Sequence, residues 1–178
     1  REGEEGLVLD AIQDAPMDLL TIIVPRHPQR FDEVAKQLKQ RGIAYQRRSA
    51  AAAIDAATRV WLGDSMGELF AYYAASDIAF VGGSLLPLGG QNLLEACAVG
   101  RPVVIGPHSF NFTEATRLAV AAGAAIEVAD SSELGSTIAD LLSDPERRLR
   151  MGEAGIALMR EHQGATQRTL ALLHIDES

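Results

Sequence analysis

Residues 80–96 read Phe80-Val81-Gly82-Gly83-Ser84-Leu85-Leu86-Pro87-Leu88-Gly89-Gly90-Gln91-Asn92-Leu93-Leu94-Glu95-Ala96. An apolar run ends in two glycines and a serine, two more glycines follow, and a helix is predicted to open with Asn92 as its N-cap. Glycines between a strand and a helix let a ligand approach the backbone, and the N–H groups that begin a helix attract anions. Glu95 lies one turn further on, where it is placed to accept from a ribose hydroxyl. This stretch predicts a site for the phosphate and sugar of a nucleotide.

The same stretch also has a purely structural interpretation. An N-cap at Asn92 with Glu95 closing a capping box accounts for both polar residues without any ligand. It does not account for four glycines within nine residues, which is more than a plain strand–helix connection requires. We therefore favour the nucleotide site.

Strands and helices alternate along the rest of the chain, which predicts an α/β fold with a parallel, doubly wound sheet. Short apolar runs predict strands at 19–24, 43–48, 60–62, 78–81, 103–105 and 124–128. Periodic apolar positions and caps predict helices at 7–15, from 31 to a stop at Gly42, from a capping box at 65–68, at 92–99, 113–122 and 132–142, from Asp144-Pro145, and at 163–173. In the helix after Ser65 we expect Met66, Leu69, Phe70, Tyr73 and Ala74 to be buried.

The 178 residues fit a single domain, 1–178, that opens on a helix where a doubly wound fold normally opens on a strand. We therefore expect a fragment whose first strand is absent. The net charge of −8 argues against a nucleic-acid partner. The single cysteine, Cys97, excludes an internal disulfide and lies in an apolar run, so a buried thiol is expected. No apolar segment has the length of a membrane span, and a soluble fragment in a reducing compartment is predicted.

Two further polar clusters follow predicted strands. Pro25–Arg30 contains two arginines and a histidine, which suit a phosphate or carboxylate clamp about as well as a solvated turn. Gly106–Phe112 contains His108 and Asn111, which either bond the local backbone or line the same crevice as the glycine-rich loop. There is no GxxxxGK[ST] loop, no G-x-G-x-x-G after the first strand, and no metal-like histidine spacing, so neither a cofactor nor a metal is expected.

These motifs resemble those of bacterial 3-deoxy-D-manno-octulosonic acid (Kdo) transferases. Residues 80–95 are similar to that family's F-V-G-G-S-L…G-G-H-N-P-L-E, and 24–30 to its V-P-R-H-P-x-R. Residues 63–69 resemble G-D-T-M-G-E-L, 106–112 resemble G-P-H-T-F-N-F, and 1–5 resemble the end of T-H-x-G-E-E. The resemblance implies the Rossmann-like C-terminal half of a GT-B glycosyltransferase. It also implies transfer of Kdo from CMP-Kdo to a lipid A precursor, with inversion and without a metal.

In that family the N-terminal half supplies the catalytic carboxylate, the acceptor site and the membrane anchor at the cytoplasmic face of the inner membrane. The resemblance therefore implies no catalytic residue in this chain. It implies that Arg26 pairs with the donor phosphate or carboxylate and that Glu95 accepts from the ribose hydroxyls. The other donor-binding positions implied or predicted are His27, Ser65, Met66, Gly67, Gly83, Ser84, Gly90, Gln91, Asn92, His108 and Asn111, with Arg30 supporting the turn. Gln91 replaces the family's histidine and Leu94 its proline.

Three alternatives remain open from the residues. The chain is compatible with the donor domain of a GT-B enzyme that uses a UDP-sugar, which base preference distinguishes. It is also compatible with a non-catalytic regulatory domain that binds a nucleotide or sugar. A flavodoxin-like or dehydrogenase domain is the third, and binding of a flavin or dinucleotide distinguishes it.

Overall fold

A computed structural model describes residues 3–13, 15–16 and 19–173, with side chains described up to residue 162. The strands are β1 (Thr21–Ile23), β2 (Tyr45–Arg47), β3 (Val60–Leu62), β4 (Ala79–Val81), β5 (Val103–Ile105) and β6 (Ala125–Glu127). The helices are α1 (Glu4–Ala11), α2 (Phe31–Gln40), α3 (Leu69–Ala75), α4 (Leu94–Ala98), α5 (Thr113–Ala121), α6 (Ser131–Ser143) and α7 (Pro145–Leu173).

All the described strand pairs are parallel. They form two three-stranded sheets, one with the order β1-β3-β2 and the other with the order β4-β5-β6. Helices connect successive strands in most cases, so the predicted Rossmann-like α/β fold with parallel strands is confirmed.

The β4-β5-β6 sheet is buried on both faces, as its continuous apolar runs predict. All three residues of β5 are fully buried. Val103 and Ile105 pack into a cluster with Leu93 and Cys97, and Val104 packs on the opposite face with Leu134. This sandwich of helix, sheet and helix fixes the positions of the loops that follow β4 and β5.

Local sequence signals set several helix ends, of which those at Pro145 and Gly42 were predicted. The Asp130 carboxylate caps α6 by accepting from the N–H groups of Ser132 and Glu133, both at 2.9 Å. α7 starts at Pro145, and Asp144 accepts from the N–H of Arg147 at 2.8 Å. Gly42 follows α2 with φ of 68°.

The helix predicted from Ser65 is wrong in its start and in its buried face. The Ser65 hydroxyl bonds the Glu68 carboxylate instead of capping the backbone, and α3 begins only at Leu69. Met66 therefore lies in the preceding loop and is 62% exposed, while Phe70 is 56% exposed. Tyr72 is the buried residue of α3, because its ring packs edge-on against Trp61 of β3.

Two other predicted helices have different bounds. α1 begins at Glu4, ahead of the predicted start at residue 7, and ends at Ala11. α4 contains only Leu94–Ala98, and Asn92 stabilises its start by accepting from the N–H of Leu94 at 3.1 Å. Arg1 and Glu2 of the N-terminal motif lie outside the described residues.

Candidate functional site

Four loops leave the carboxyl ends of parallel strands. They are 24–30 after β1, 63–68 after β3, 82–93 after β4 and 106–112 after β5. In open α/β sheets this edge is where ligands bind. Every predicted site residue lies in one of these loops except Glu95, which is the second residue of α4.

The loops after β4 and β5 form one hydrogen-bonded unit. The N–H of Gly90 donates to the carbonyl of Gly83 at 2.7 Å, and the N–H of His108 donates to the carbonyl of Ser84 at 2.9 Å. The N–H of Asn111 donates to the carbonyl of Gly89 at 3.0 Å. The structure thus joins two of the three clusters that the sequence predicts.

Glycine is required in this unit for two different reasons. Gly83, Gly89 and Gly90 have φ values of 77°, 90° and 73°, a region that other residues enter only with strain. Gly106 has no room for a side chain, since a Cβ there would lie 2.5 Å from the carbonyl carbon of Ser84 and 2.6 Å from the nitrogen of Leu85. The glycine pattern therefore has a structural basis in addition to any ligand.

Ser84 has a structural role that differs from the expected donor role. The side chain is fully buried, its hydroxyl donates to the carbonyl of Val81 at 2.6 Å, and it accepts from the N–H of Gly106 at 2.8 Å. The hydroxyl therefore ties the end of β4 to the end of β5.

The backbone donors expected to face a phosphate are already in use. The carboxylate of Glu4 accepts from the N–H groups of Gly83, Ser84 and Leu85, the last two at 2.9 Å. The N–H of Gly90 is taken by Gly83. In this structure the N–H groups of Gly83, Ser84 and Gly90 therefore have acceptors within the protein. Within the described part of the chain, the N–H groups of Gln91 and Asn92 have no acceptor.

The loop after β1 is bonded to α1, the helix that also contains Glu4. Arg30 donates to both carboxylate oxygens of Glu5 at 3.1 Å, and Glu5 is 6% exposed. Arg30 thus supports this turn, as the resemblance implies. Arg26 and His27 lie before it on the exposed part of the loop. The adjacent residues Glu4 and Glu5 connect the loop after β1 to the loop after β4.

A polar network fixes the loop after β3. The Glu68 carboxylate accepts from the Ser65 hydroxyl, from Arg48 at 3.1 Å and from the Tyr72 hydroxyl at 3.3 Å. The bond from Ser65 and the charge of Arg48 lower the pKa of Glu68. Met66 projects from this loop next to Gly67, whose φ is 80°. An exposed thioether beside a fixed turn suits contact with a flat, apolar group.

Asp64 anchors the start of the same loop. Its carboxylate accepts from the N–H and the hydroxyl of Ser49, at 2.8 and 2.6 Å, and lies 3.6 Å from Arg47. Burial opposes ionisation, but these donors and the charge of Arg47 outweigh it and lower the pKa of Asp64. The loop after β2 and the loop after β3 are thereby joined.

Glu95 is half-buried, and no described residue donates a hydrogen bond to its carboxylate. Burial, together with the negative charge of Glu95, raises the pKa of Tyr73 to about 12. Gln91 and Asn92, which precede Glu95 in the chain, are also half-buried. His108 and Asn111 lie on the loop after β5. The structure therefore leaves Glu95 available to accept from a ligand hydroxyl.

The sequence analysis missed the residues that hold the site together. Glu4, Glu5, Ser49 and Asp64 were not singled out as site residues. The available signal for the first two was a pair of acidic residues directly before an apolar helical stretch, because a buried acid at that position must have partners elsewhere in the fold. Asp64 lies within the motif at 63–69, but nothing in the sequence indicates its partner, and Ser49 gave no signal, since serine is common in loops.

The residues that the structure describes contain neither a metal-ligand cluster nor a membrane-spanning helix. No group of three or more His, Cys, Asp or Glu side chains there is arranged to hold a metal ion. No helix in that part of the chain is both long enough and apolar enough to cross a membrane.

Relatives of this chain are Kdo transferases. It is 49% identical over 184 residues to the 3-deoxy-D-manno-octulosonic acid transferase of Bordetella pertussis, covering 97% of this chain and 42% of that protein. It is 43% identical over 175 residues to the enzyme of the same name from Haemophilus influenzae, covering 96% of this chain and 41% of that protein. The chain thus spans about two fifths of the length of these relatives, and the resemblance stated from the motifs is confirmed.

A solved structure has the same fold. The C-terminal CMP-Kdo binding domain of WaaA from Acinetobacter baumannii matches with a TM-score of 0.85 and 35% identity, over 89% of this chain and 84% of that one. The model of the family described as "Glycosyl transferases group 1" matches residues 43–157, which include the loops after β3, β4 and β5. The chain belongs to the group 1 glycosyl transferases and has the fold of a GT-B C-terminal domain.

Proposed function

We propose that this chain binds CMP-Kdo and is the donor half of an inverting transferase that passes Kdo to a lipid A precursor at the cytoplasmic face of the bacterial inner membrane. One observation supports this above all. The chain matches a domain that binds CMP-Kdo along nearly its whole length, at a TM-score of 0.85. In this chain the four loops of the carboxyl edge hold exposed or half-buried polar side chains beside a fixed glycine backbone.

The chemistry of these side chains suits that donor. Arg26 is an exposed cation at the end of β1, which fits the phosphate or the Kdo carboxylate. The carboxylate of Glu95 fits the two hydroxyls of a ribose, and Gln91, Asn92, His108 and Asn111 are further polar side chains on the loops after β4 and β5. Ser65, Met66 and Gly67 border the base in this proposal. The catalytic carboxylate and the acceptor site belong to an N-terminal half outside this chain.

Titration of the labelled chain with CMP, and with UMP in parallel, tests the donor assignment. We expect saturable amide shifts with CMP at Arg26, Gln91 and Glu95, and weaker binding of UMP. Preference for UMP would favour a UDP-sugar enzyme, and no binding of either nucleotide by a protein that includes the N-terminal half would reject the proposal.

Paired variants test the two residues that are assigned charged contacts. Arg26→Ala and Glu95→Gln should each weaken CMP binding by about tenfold to a hundredfold, because hydrogen bonds to charged groups contribute about 1.5–3 kcal/mol. Arg117→Ala and Glu114→Gln are the matched controls, since both residues are exposed on α5 and bond each other at 2.7 Å. A change below about threefold for Arg26 or Glu95 would remove that residue from the site.

Transfer itself requires a protein that contains both halves. With CMP-Kdo and a lipid A precursor, we expect such a protein to release CMP and form the inverted glycosidic product. A protein that binds CMP but transfers nothing when both halves are present would favour the regulatory alternative.

A further inference from the structure

Glu4 is a buried acid for which the proposed function has no use. Its residue is 2% exposed, and its two carboxylate oxygens together accept from three consecutive backbone N–H groups, those of Gly83, Ser84 and Leu85. Consecutive N–H groups that converge on one point form a nest, which is a backbone arrangement that binds anions such as phosphate. Here the anion is a side chain of the same protein.

The other side of this segment is fixed as well. The carbonyl of Gly83 accepts from Gly90, and the carbonyl of Ser84 accepts from His108. Glu4 on one side and these two N–H groups on the other determine the path of the backbone between β4 and α4. That path leads to Gln91, Asn92 and Glu95, so the position of the polar side chains depends on the Glu4 contact.

Glu4 also excludes a competing anion. The nest lies at the carboxyl end of β4, close to the residues assigned to the donor, and without Glu4 its three N–H groups would attract any phosphate that reached them. The built-in carboxylate leaves the phosphate to Arg26 and the later part of the loop.

We propose that Glu4 is a positioning residue for donor binding, whose carboxylate fills the backbone nest of Gly83–Leu85, fixes the loop that presents Gln91, Asn92 and Glu95, and keeps the donor phosphate out. This proposal rests on the proposed nucleotide-binding function. It predicts that loss of the carboxylate reduces affinity for the nucleotide in protein that is still folded, whereas a purely structural role would reduce only stability.

Glu4→Gln is the main variant. Glutamine keeps the size of the side chain, but its NH₂ group is a donor and would face at least one backbone N–H, which is also a donor. We expect its affinity for CMP to fall about tenfold. Asp10→Asn is the matched control. Asp10 lies on the same helix and forms an exposed 2.5 Å ion pair with Arg41 of the segment after α2. A folded Glu4→Gln protein with a CMP affinity within threefold of the control would overturn the proposal.

Glu4→Ala with added formate gives a second test that does not need CMP. The emptied nest should bind formate, which should shift the amides of Gly83, Ser84 and Leu85 and move those of Gln91–Glu95 back toward their wild-type positions. Sodium chloride at equal ionic strength should not do so. If formate shifts the first set without restoring the second, or shifts neither in folded protein, Glu4 does not position the loop.

The two tests separate this proposal from the proposed function. If the wild type fails to bind CMP even in a protein that includes the N-terminal half, the function proposal fails, and the formate result alone decides whether Glu4 orders the loop. If the wild type binds CMP and formate restores CMP affinity to Glu4→Ala by about tenfold, both proposals stand. If CMP binds and formate has no effect on that affinity, only the Glu4 proposal is rejected.

Discussion

The two halves of the carboxyl edge are built by different means. The loops after β4 and β5 are held to each other by backbone hydrogen bonds and by glycines with positive φ, with the buried Ser84 hydroxyl between them. The Glu4 carboxylate adds a side-chain contact to the backbone N–H groups of the loop after β4. The loops after β1, β2 and β3 are held by side-chain ion pairs and carboxylates, such as Arg30 with Glu5 and Asp64 with Ser49. We call these the backbone-held half and the side-chain-held half.

This difference has consequences for tolerance to mutation. A backbone-held loop leaves no space for an added atom, so a single methyl group disturbs it. A side-chain-held loop depends on charge and burial, so its response varies with pH and with the exposure of each pair. The following four predictions compare the halves on these terms.

Gly106→Ala should have the largest effect. The new Cβ would lie 2.5–2.6 Å from backbone atoms of Ser84 and Leu85, which neither strand end can move away from easily. We expect a loss of about 3 kcal/mol or more in the free energy of unfolding, measured with urea. Gly123→Ala is the control, because Gly123 has φ of 75° but open space around it, and should cost about 1 kcal/mol. Equal losses for the two variants would show that the backbone-held half is not tightly packed.

Cys97 tests whether the core beneath the backbone-held half is closed. Its side chain is fully buried, and burial raises the pKa of the thiol from 9.0 to about 11. The thiolate is the reactive form, so at pH 8 its fraction should be about a hundredfold lower in the folded than in the unfolded chain. Reaction with a disulfide reagent should slow by at least about that factor on folding, as followed by absorbance. Rapid reaction of the native protein would mean that α4 opens readily.

The sequence predicted the strands of both halves, but it did not predict the side-chain contacts that hold the loops after β1, β2 and β3. The glycines and buried strands of the backbone-held half are marked by residue types with narrow backbone or burial preferences, so strand positions and loop starts at 82 and 106 could be found. The contacts of Glu4 and Asp64 could not be predicted, because their partners lie elsewhere along the chain. The exposure of Phe70 could not be predicted for a related reason. Hydrophobic character predicts burial only when the start of the helix is known, and the Ser65–Glu68 contact shifts that start to Leu69.

Asp64→Asn tests the buried part of the side-chain-held half. The variant loses the charged carboxylate that accepts from Ser49 and faces Arg47. We expect its free energy of unfolding to be lower by about 1–3 kcal/mol at pH 7. Because folding lowers the pKa of Asp64 from 3.8, its contribution is fully present above pH 4 and disappears as the pH falls through the lower, folded value. The difference in unfolding free energy between wild type and variant should therefore shrink below pH 4. A difference that is independent of pH down to 2 would reject the charge argument.

Asp32→Asn should have the smallest effect, although Asp32 bonds the same arginine. The Asp32 side chain is 88% exposed and accepts from Arg47 at 2.6 Å, whereas the Asp64 side chain is 4% exposed. The bond to Asp32 raises the pKa of Arg47, but water and salt screen a pair that lies on the surface. We expect the variant to lose less than about 0.5 kcal/mol of unfolding free energy at low salt, measured with urea, and to equal the wild type at 1 M salt. A loss equal to that of Asp64→Asn would mean that Arg47, and not the burial of Asp64, holds the loop after β3.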